Sequence, residues 1–251
     1  MNNFQLSQCK EVLIIGAGHG IGFGLVNEIL TKNKTLHLHA TFRDKNLASP
    51  LLELKDHPRL SIYGLDPCNE EEVAALSNKL EGKTFDLIIN CVGFLYNDKF
   101  RPEKSFRNFS LEYFLESMKV NASVSALLFK YFEQTLSKEK ISSFINISAK
   151  VGSIEDNSLG GWYSYRSSKA ALNMLIKCIS IELKRKKTPC IVLAIHPGTT
   201  TTELSNPFSK NISHKIHSIN ETAHNILEVL EEKTIEDSGQ FFNWDGQTIP
   251  W

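Results

Sequence analysis

Seven short aliphatic runs alternate with stretches of helical spacing along the 251 residues, and this alternation limits the fold more than any single motif. The runs cover residues 11–15, 36–42, 60–63, 85–92, 143–147, 191–195 and 239–243. Between them, apolar residues recurring every three or four positions predict helices over 20–31, 51–55, 71–80 and 111–136. A further helix contains Tyr165, with a stripe of Leu172, Met174, Leu175, Ile176 and Ile179, and a last one covers 221–231. Residues 85–92 read as a continuous apolar strand of the kind buried on both faces of a parallel sheet. Asn69 with Glu72 resembles a capping box opening the helix over 71–80, and Ser110 can cap the helix over 111–136. Strands alternating with helices, without repeats or a low-complexity linker, imply an α/β, doubly wound parallel sheet. Residues 1–251 read as one domain.

Composition narrows the function classes. The formal net charge is zero, so nothing electrostatic draws the chain to nucleic acid or to an anionic membrane. The basic run Lys184 to Lys187 reads as the cationic last turn of a helix. No stretch approaches a transmembrane span, and residues 1–10 lack the basic-then-apolar layout of a signal peptide. The five cysteines are scattered, with no Cys-x-x-Cys pair, which implies reduced thiols in a cytoplasmic protein and no metal site.

In a doubly wound sheet, ligands sit beyond the carboxyl ends of the strands. The first run enters Gly16-Ala17-Gly18-His19-Gly20-Ile21-Gly22, which matches Gly-x-Gly-x-x-Gly from no starting glycine. It does offer a Gly-x-x-x-Gly-x-Gly turn between a strand and a helix, where bare backbone N–H groups and the helix N-terminus can approach a pyrophosphate. Farther on, Tyr165 and Lys169 lie one helical turn apart on one face. An ammonium in that place favours the phenolate and lowers the phenol's pKa, so the Tyr can give a proton to a carbonyl oxygen or take one from an alcohol.

Gly16 to Gly22, Asn90-Cys91-Val92-Gly93, Asn121, Tyr165 with Lys169, and Pro197-Gly198 occur in the order and spacing of the short-chain dehydrogenase/reductase family. The chain resembles that family from about Val12 to Trp251. Gly160 to Asn173 and the tail Ser238 to Gly246 look like its C-factor-like and sniffer-like carbonyl reductases. The resemblance implies a Rossmann-like three-layer sandwich with a seven-stranded parallel sheet, and a homodimer or homotetramer built on the helices at Ser110 and Tyr165. It also implies a small-molecule carbonyl or alcohol substrate, with Tyr165 as the general acid and Lys169 tuning it and bonding the nicotinamide ribose. Asn121 would hold a relay water. Asn90 and Gly93 would line the adenosine ribose side, and Asp66 would accept from the adenine amino group unless it is only a turn residue. Thr200 or Thr202 would bond the carboxamide, next to Pro197 and Gly198.

Cofactor choice rests on the end of the second strand. Thr41 stands where NAD-binding members carry an acid, and Arg43 where NADP-binding members carry a base; His19 is at a place that is often basic in the latter. NADP(H) is therefore expected over NAD(H), since a guanidinium can grip a 2′-phosphate, with Asp44 the residue that speaks against it.

Two positions depart from the family pattern. Ile15 replaces a Thr or Ser, at the cost of a local hydrogen bond. Ala149 stands where the family carries a catalytic Ser that polarises the carbonyl. Ser148 replaces that hydroxyl only if the strand bulges or ends early, because adjacent strand residues face opposite ways. Ser153 and Tyr163 are the other substitutes. Residues 199–220, with Thr202, Phe208, His214 and His217, are long enough to form a lid. Phe94, Leu95, Tyr96 and Trp162 suggest a hydrophobic substrate, whereas His196 reads as a satisfied core histidine.

Overall fold

The computed structural model describes residues 3–208 and 215–251. Seven strands, β1 (Glu11–Ile15), β2 (His37–Phe42), β3 (Leu60–Gly64), β4 (Leu87–Asn90), β5 (Ser142–Ile147), β6 (Cys190–His196) and β7 (Gln240–Asn243), form one sheet in the order β3-β2-β1-β4-β5-β6-β7. Every neighbouring pair is parallel. Chain order reverses beside β1, so β1 and β4 part at the crevice where such sheets take ligands.

Residue alternation builds the layers. Val12 and Ile14 of β1 face one core, beneath α1 (Gly20–Lys32) and α7 (Ile219–Glu232); Leu13 and Ile15 face another, beneath α3 (Glu70–Lys79), α5 (Val124–Phe132) and α6 (Tyr163–Lys186). This is a three-layer, Rossmann-like sandwich. A Cβ on Gly24 would sit 2.5 Å from Ile219 Cγ2, so the close packing of α1 on α7 depends on that glycine. In α6, Leu172, Ile176 and Ile179 are buried as the spacing predicts, whereas Met174 faces solvent.

The departures from sequence expectation have local causes. The helix over 51–55 is only α2 (Ser49–Leu52). The strand expected over 85–92 ends at Asn90, because Asn90 Oδ1 accepts the Val92 N–H at 3.1 Å and turns the chain. The long helix over 111–136 divides into α4 (Leu111–Met118), a π turn (Lys119–Ser123) and α5. Asn121 lies in that turn with its amide directed out of the helix. Ser110 does cap α4, at 3.3 Å from the Tyr113 N–H. The capping box is modified: Asn69 accepts from the Glu71 and Glu72 N–H groups, but Glu72 accepts from the Asp66 N–H and the Asn69 side chain. Among the described residues no helix is long and apolar enough to cross a membrane.

Candidate active site

A cleft of about 390 Å³ opens at the carboxyl ends of β1, β2, β4, β5 and β6. Its floor at one end is the glycine turn. Gly16 and Gly20 have φ of +80° and +57°, a region that favours glycine, and a Cβ on Gly22 would lie 2.2 Å from the Gly16 carbonyl oxygen. His19 precedes α1 and makes no side-chain cap bond to the start of that helix. The hydrogen bond forfeited at Ile15 is replaced from the next strand: Thr41 Oγ1 accepts from the Gly16 N–H at 3.1 Å, and the Thr41 carbonyl accepts from the Ala17 N–H at 2.7 Å. Exposed Arg43 borders the same end of the cleft. Asp44 also borders it, with Oδ1 taken by the Asn46 N–H at 2.8 Å in a local turn.

At the other end, α6 brings Tyr165 and Lys169 to the wall, 7% and 2% exposed. Lys169 Nζ donates to the Ile147 carbonyl at 3.0 Å and lies 6.0 Å from the centre of the Tyr165 ring. A Cβ on Gly93 would come within 3.8 Å of that nitrogen, so the bare backbone of Gly93 leaves space beside it. Burial pushes the Lys169 ammonium down to about 8. The phenol does not follow the sequence expectation: burial, with a smaller contribution from Tyr113, pushes Tyr165 up rather than down. Desolvation outweighs the nearby ammonium, and the phenol stays protonated at neutral pH, the form a proton donor needs.

The buried lysine opposes stability. Its pKa is depressed by folding, so the unfolded chain holds the extra proton between about 8 and 10.5. The cost is therefore full below about 8 and is relieved as pH rises toward 10.5. It amounts to about 3 kcal/mol at neutral pH. Lys169→Met is expected to be inactive yet to melt higher than the wild type at pH 7, with the advantage shrinking by pH 10; thermal melts across that range check this.

Several expected site residues have their side chains bonded within the protein. Asn121 is 1% exposed, its Oδ1 accepting from the Phe94 N–H at 2.7 Å and its Nδ2 donating to the Phe94 carbonyl and to Ser168 Oγ. Its side chain thus clamps the loop after β4, with Oδ1 and Lys169 Nζ both within 4 Å of a Cβ placed on Gly93. Asn90 donates to Asn146 Oδ1 and supports the turn at Val92, away from the cleft lining. Asp66 is the turn residue, with Oδ1 accepting from the Cys68 N–H. Pro197, Gly198, Thr200 and Thr202 do reach the cleft, although the Thr200 hydroxyl pairs with Thr222 and that of Thr202 with Ser205.

β5 ends at Ile147, but the backbone stays extended through Ala149. Ser148 donates its N–H to the Ile195 carbonyl, and Ala149 is extended at φ −147°, so the two side chains face opposite ways. The Ser148 hydroxyl donates to Asn173 Oδ1 on α6 at 2.7 Å, which argues against Ser148 as the replacement hydroxyl. Ser153 Oγ accepts from the Asp156 N–H, and Tyr163 packs edge-on against Phe106; neither borders the cleft. Ala149 itself does.

An aromatic wall covers the Tyr165 end. Trp162 lies 6.2 Å from Tyr165 and 5.1 Å from Phe208, ring centre to ring centre, and Tyr96 lies 5.6 Å from Phe208. Within the expected lid, Phe208 thus reaches the cleft, while buried His217 packs against Trp244 and His214 lies outside the described residues. Leu204 and Ser205 also border the cleft and carried no sequence signal. His196 borders it too, half-buried at the end of β6.

The family model described as short chain dehydrogenase matches residues 10–213. The chain belongs to the short-chain dehydrogenase/reductase family. Among solved members, the NADPH-bound carbonyl reductase from chicken fatty liver is 31% identical to this short-chain dehydrogenase, with a TM-score of 0.84, over 96% of this chain and 99% of that one. The carbonyl reductase Sniffer of D. melanogaster shares the fold at a TM-score of 0.86 and 24% identity, over 96% and 99%. The 1-hydroxy-2-glutathionyl-2-methyl-3-butene dehydrogenase of Rhodococcus sp. (strain AD45) is 26% identical over 96% of this chain and all of its own length. This short-chain dehydrogenase is thus an oxidoreductase by family.

Proposed function

We propose that the chain is an NADPH-dependent reductase of aldehydes or ketones, working as one catalytic domain in the cytoplasm. The observation that carries this is the single cleft joining a bare glycine turn and Arg43 at one end to a protonated Tyr165 beside Lys169 at the other. The chicken enzyme of the same fold binds NADPH, which agrees with the base at Arg43. The residues fit such a cofactor: an added Cβ would be crowded at Gly16, Gly18 and Gly22, and Gly20 has a φ that favours glycine, so the cradle stays bare. Gly16, Gly18, Gly20, Ile21 and Gly22 would hold the pyrophosphate, with Arg43 and His19 toward a 2′-phosphate. Gly93, Pro197, Gly198, Thr200 and Thr202 would line the rest.

When bound, the nicotinamide supplies the hydride. Tyr165 Oη gives its proton to the substrate oxygen, and Lys169, charged below about 8, stabilises the phenolate left behind. Reduction should thus weaken as pH rises through about 8 and Lys169 loses its charge. Trp162, Phe208 and Phe94 shield the reacting carbonyl from water and favour an apolar substrate. Leu111, Leu115 and Met174, exposed on α4 and α6, suit a homodimer or homotetramer.

Titration with NADPH and NADH, then NADPH oxidation with aldehydes, ketones and quinones, tests the reading; binding of neither nucleotide would sink it. A second reading, a dinucleotide-binding signalling or scaffold protein with little turnover, is favoured by one observation, the methyl of Ala149 where a polarising hydroxyl would stand. Ala149→Ser is expected to raise kcat about tenfold with NADPH affinity unchanged. Steady-state kinetics on the same carbonyls would read this, and an unchanged kcat would mean that another donor already serves.

A further inference from the structure

We propose that Glu103, in the loop between β4 and α4, is the positioning residue that fixes the start of α6 and so the placement of Tyr165 and Trp162. The proposal rests on the reductase reading for its kinetic consequences and on geometry for its structural ones.

The helix that carries Tyr165 starts without a local cap. Its N-cap position is Trp162, in the left-handed region at φ +49° and making no side-chain cap bond, after Gly160 and Gly161 at +62° and +64°. For Trp that conformation is strained. The first turn of α6 needs its free N–H groups satisfied and its entry held.

Glu103 does both from far along the chain. Its carboxylate oxygens accept the Ser164 N–H at 3.3 and 3.2 Å, and Oε1 also accepts a short hydrogen bond from the Ser164 hydroxyl. Its main-chain carbonyl accepts the Trp162 N–H at 2.6 Å. The residue is 3% exposed, so a carboxylate has been taken out of water to reach this place. The α6 N-terminus compensates part of that cost, because its partial positive charge and two donors meet the carboxylate. Tyr165 is the next residue after Ser164.

The same loop carries Phe94, Leu95 and Tyr96, of which Phe94 and Leu95 line the cleft. Tyr113, on α4, donates to the Leu95 carbonyl at 2.6 Å, so the loop is tied down at both ends. Glu103 therefore links the substrate wall to the proton donor: a shift of this loop is passed to Ser164 and Trp162. The glycine turn and Arg43 lie at the opposite end of the cleft and depend on none of these bonds.

The variants are Glu103→Gln, close in shape, and Glu103→Ala, read by NADPH affinity, kcat, thermal melting and amide exchange at residues 162–166. Gln keeps one acceptor oxygen, so an NH2 group must stand against the Ser164 donors where the second carboxylate oxygen was. In E103Q, kcat is expected to fall about tenfold with NADPH affinity within about twofold of wild type. Exchange at 162–166 should quicken about tenfold while the rest of α6 keeps its protection. Ser164→Ala should give a smaller loss that does not add to that of E103Q. Wild-type kcat and exchange in E103Q would overturn the proposal. So would a parallel fall of NADPH affinity, melting temperature and exchange protection throughout the chain, the signature of a merely structural residue. If E103A does not fold, E103Q carries the comparison. If the wild type turns over no carbonyl, the reductase reading has failed, and exchange at 162–166 still decides for or against Glu103.

Discussion

Tyr165→Phe is expected to lower kcat for carbonyl reduction by about 10²- to 10⁴-fold, the range that a positioned proton donor contributes. The substitution removes one oxygen from a ring already held by burial and by Trp162, so the helix and the cleft should keep their form. NADPH affinity should change little, since the glycine turn and Arg43 stand at the other end. Stopped-flow NADPH oxidation beside a fluorescence titration would separate the two. Retained turnover would mean that another group delivers the proton, and a lost titration signal would mean that the phenol serves binding instead.

Gly22→Ala is expected to be strongly destabilising. The added methyl would lie 2.2 Å from the Gly16 carbonyl oxygen and 2.9 Å from Ala17 Cα, both backbone atoms of a turn pinned to Thr41. Neither can swing aside as a side chain would, so β1 and α1 must separate. A loss of about 3 kcal/mol follows from overpacking of this kind. For a chain of this length that is about 10 °C in melting temperature, and dinucleotide binding should vanish with it. Gly82→Ala is the control. Gly82 has φ +82° but nothing within 4 Å of an added Cβ, so it pays only for the left-handed backbone. A variant at Gly22 that melts no lower than the one at Gly82 would show that the turn has slack.

The sheet was legible because strands buried on both faces read as plain aliphatic runs, and their alternation with helical spacing leaves one architecture. Two of the boundaries that sequence reading missed are set by a polar side chain that bonds backbone. Spacing places Asn121 inside one continuous helix, yet its amide is matched to Phe94 across the cleft wall, and a π turn stands there. Asn90 similarly ends β4 by accepting the Val92 N–H. The Tyr165 to Lys169 pair was legible from spacing, but the direction of the phenol's shift was not, because burial is a property of the whole fold. Spacing could state the condition on Ser148, and only the extended backbone at Ala149 could decide it. Glu103 carried no signal at all: a lone acid in a polar loop looks solvated until its partner, distant in sequence, is seen.

The strand order has a consequence for how the molecule comes into being. β1 lies between β2 and β4, and β4 pairs with β5, which pairs with β6, so the centre of the sheet joins segments made early in translation to segments made late. A ribosome must release the chain past Asn90 before β1 gains its second neighbour, and the β6 residues that close the cleft arrive later still. Pairings this remote fold slowly, and they leave the aliphatic edges of β1 and β4 open to other chains in the meantime. A dinucleotide cannot template those early stages, since its cradle and its far wall lie on opposite sides of the last gap to close. It acts on the finished molecule, as a latch, and cells that make this chain quickly must protect the nascent sheet by other means.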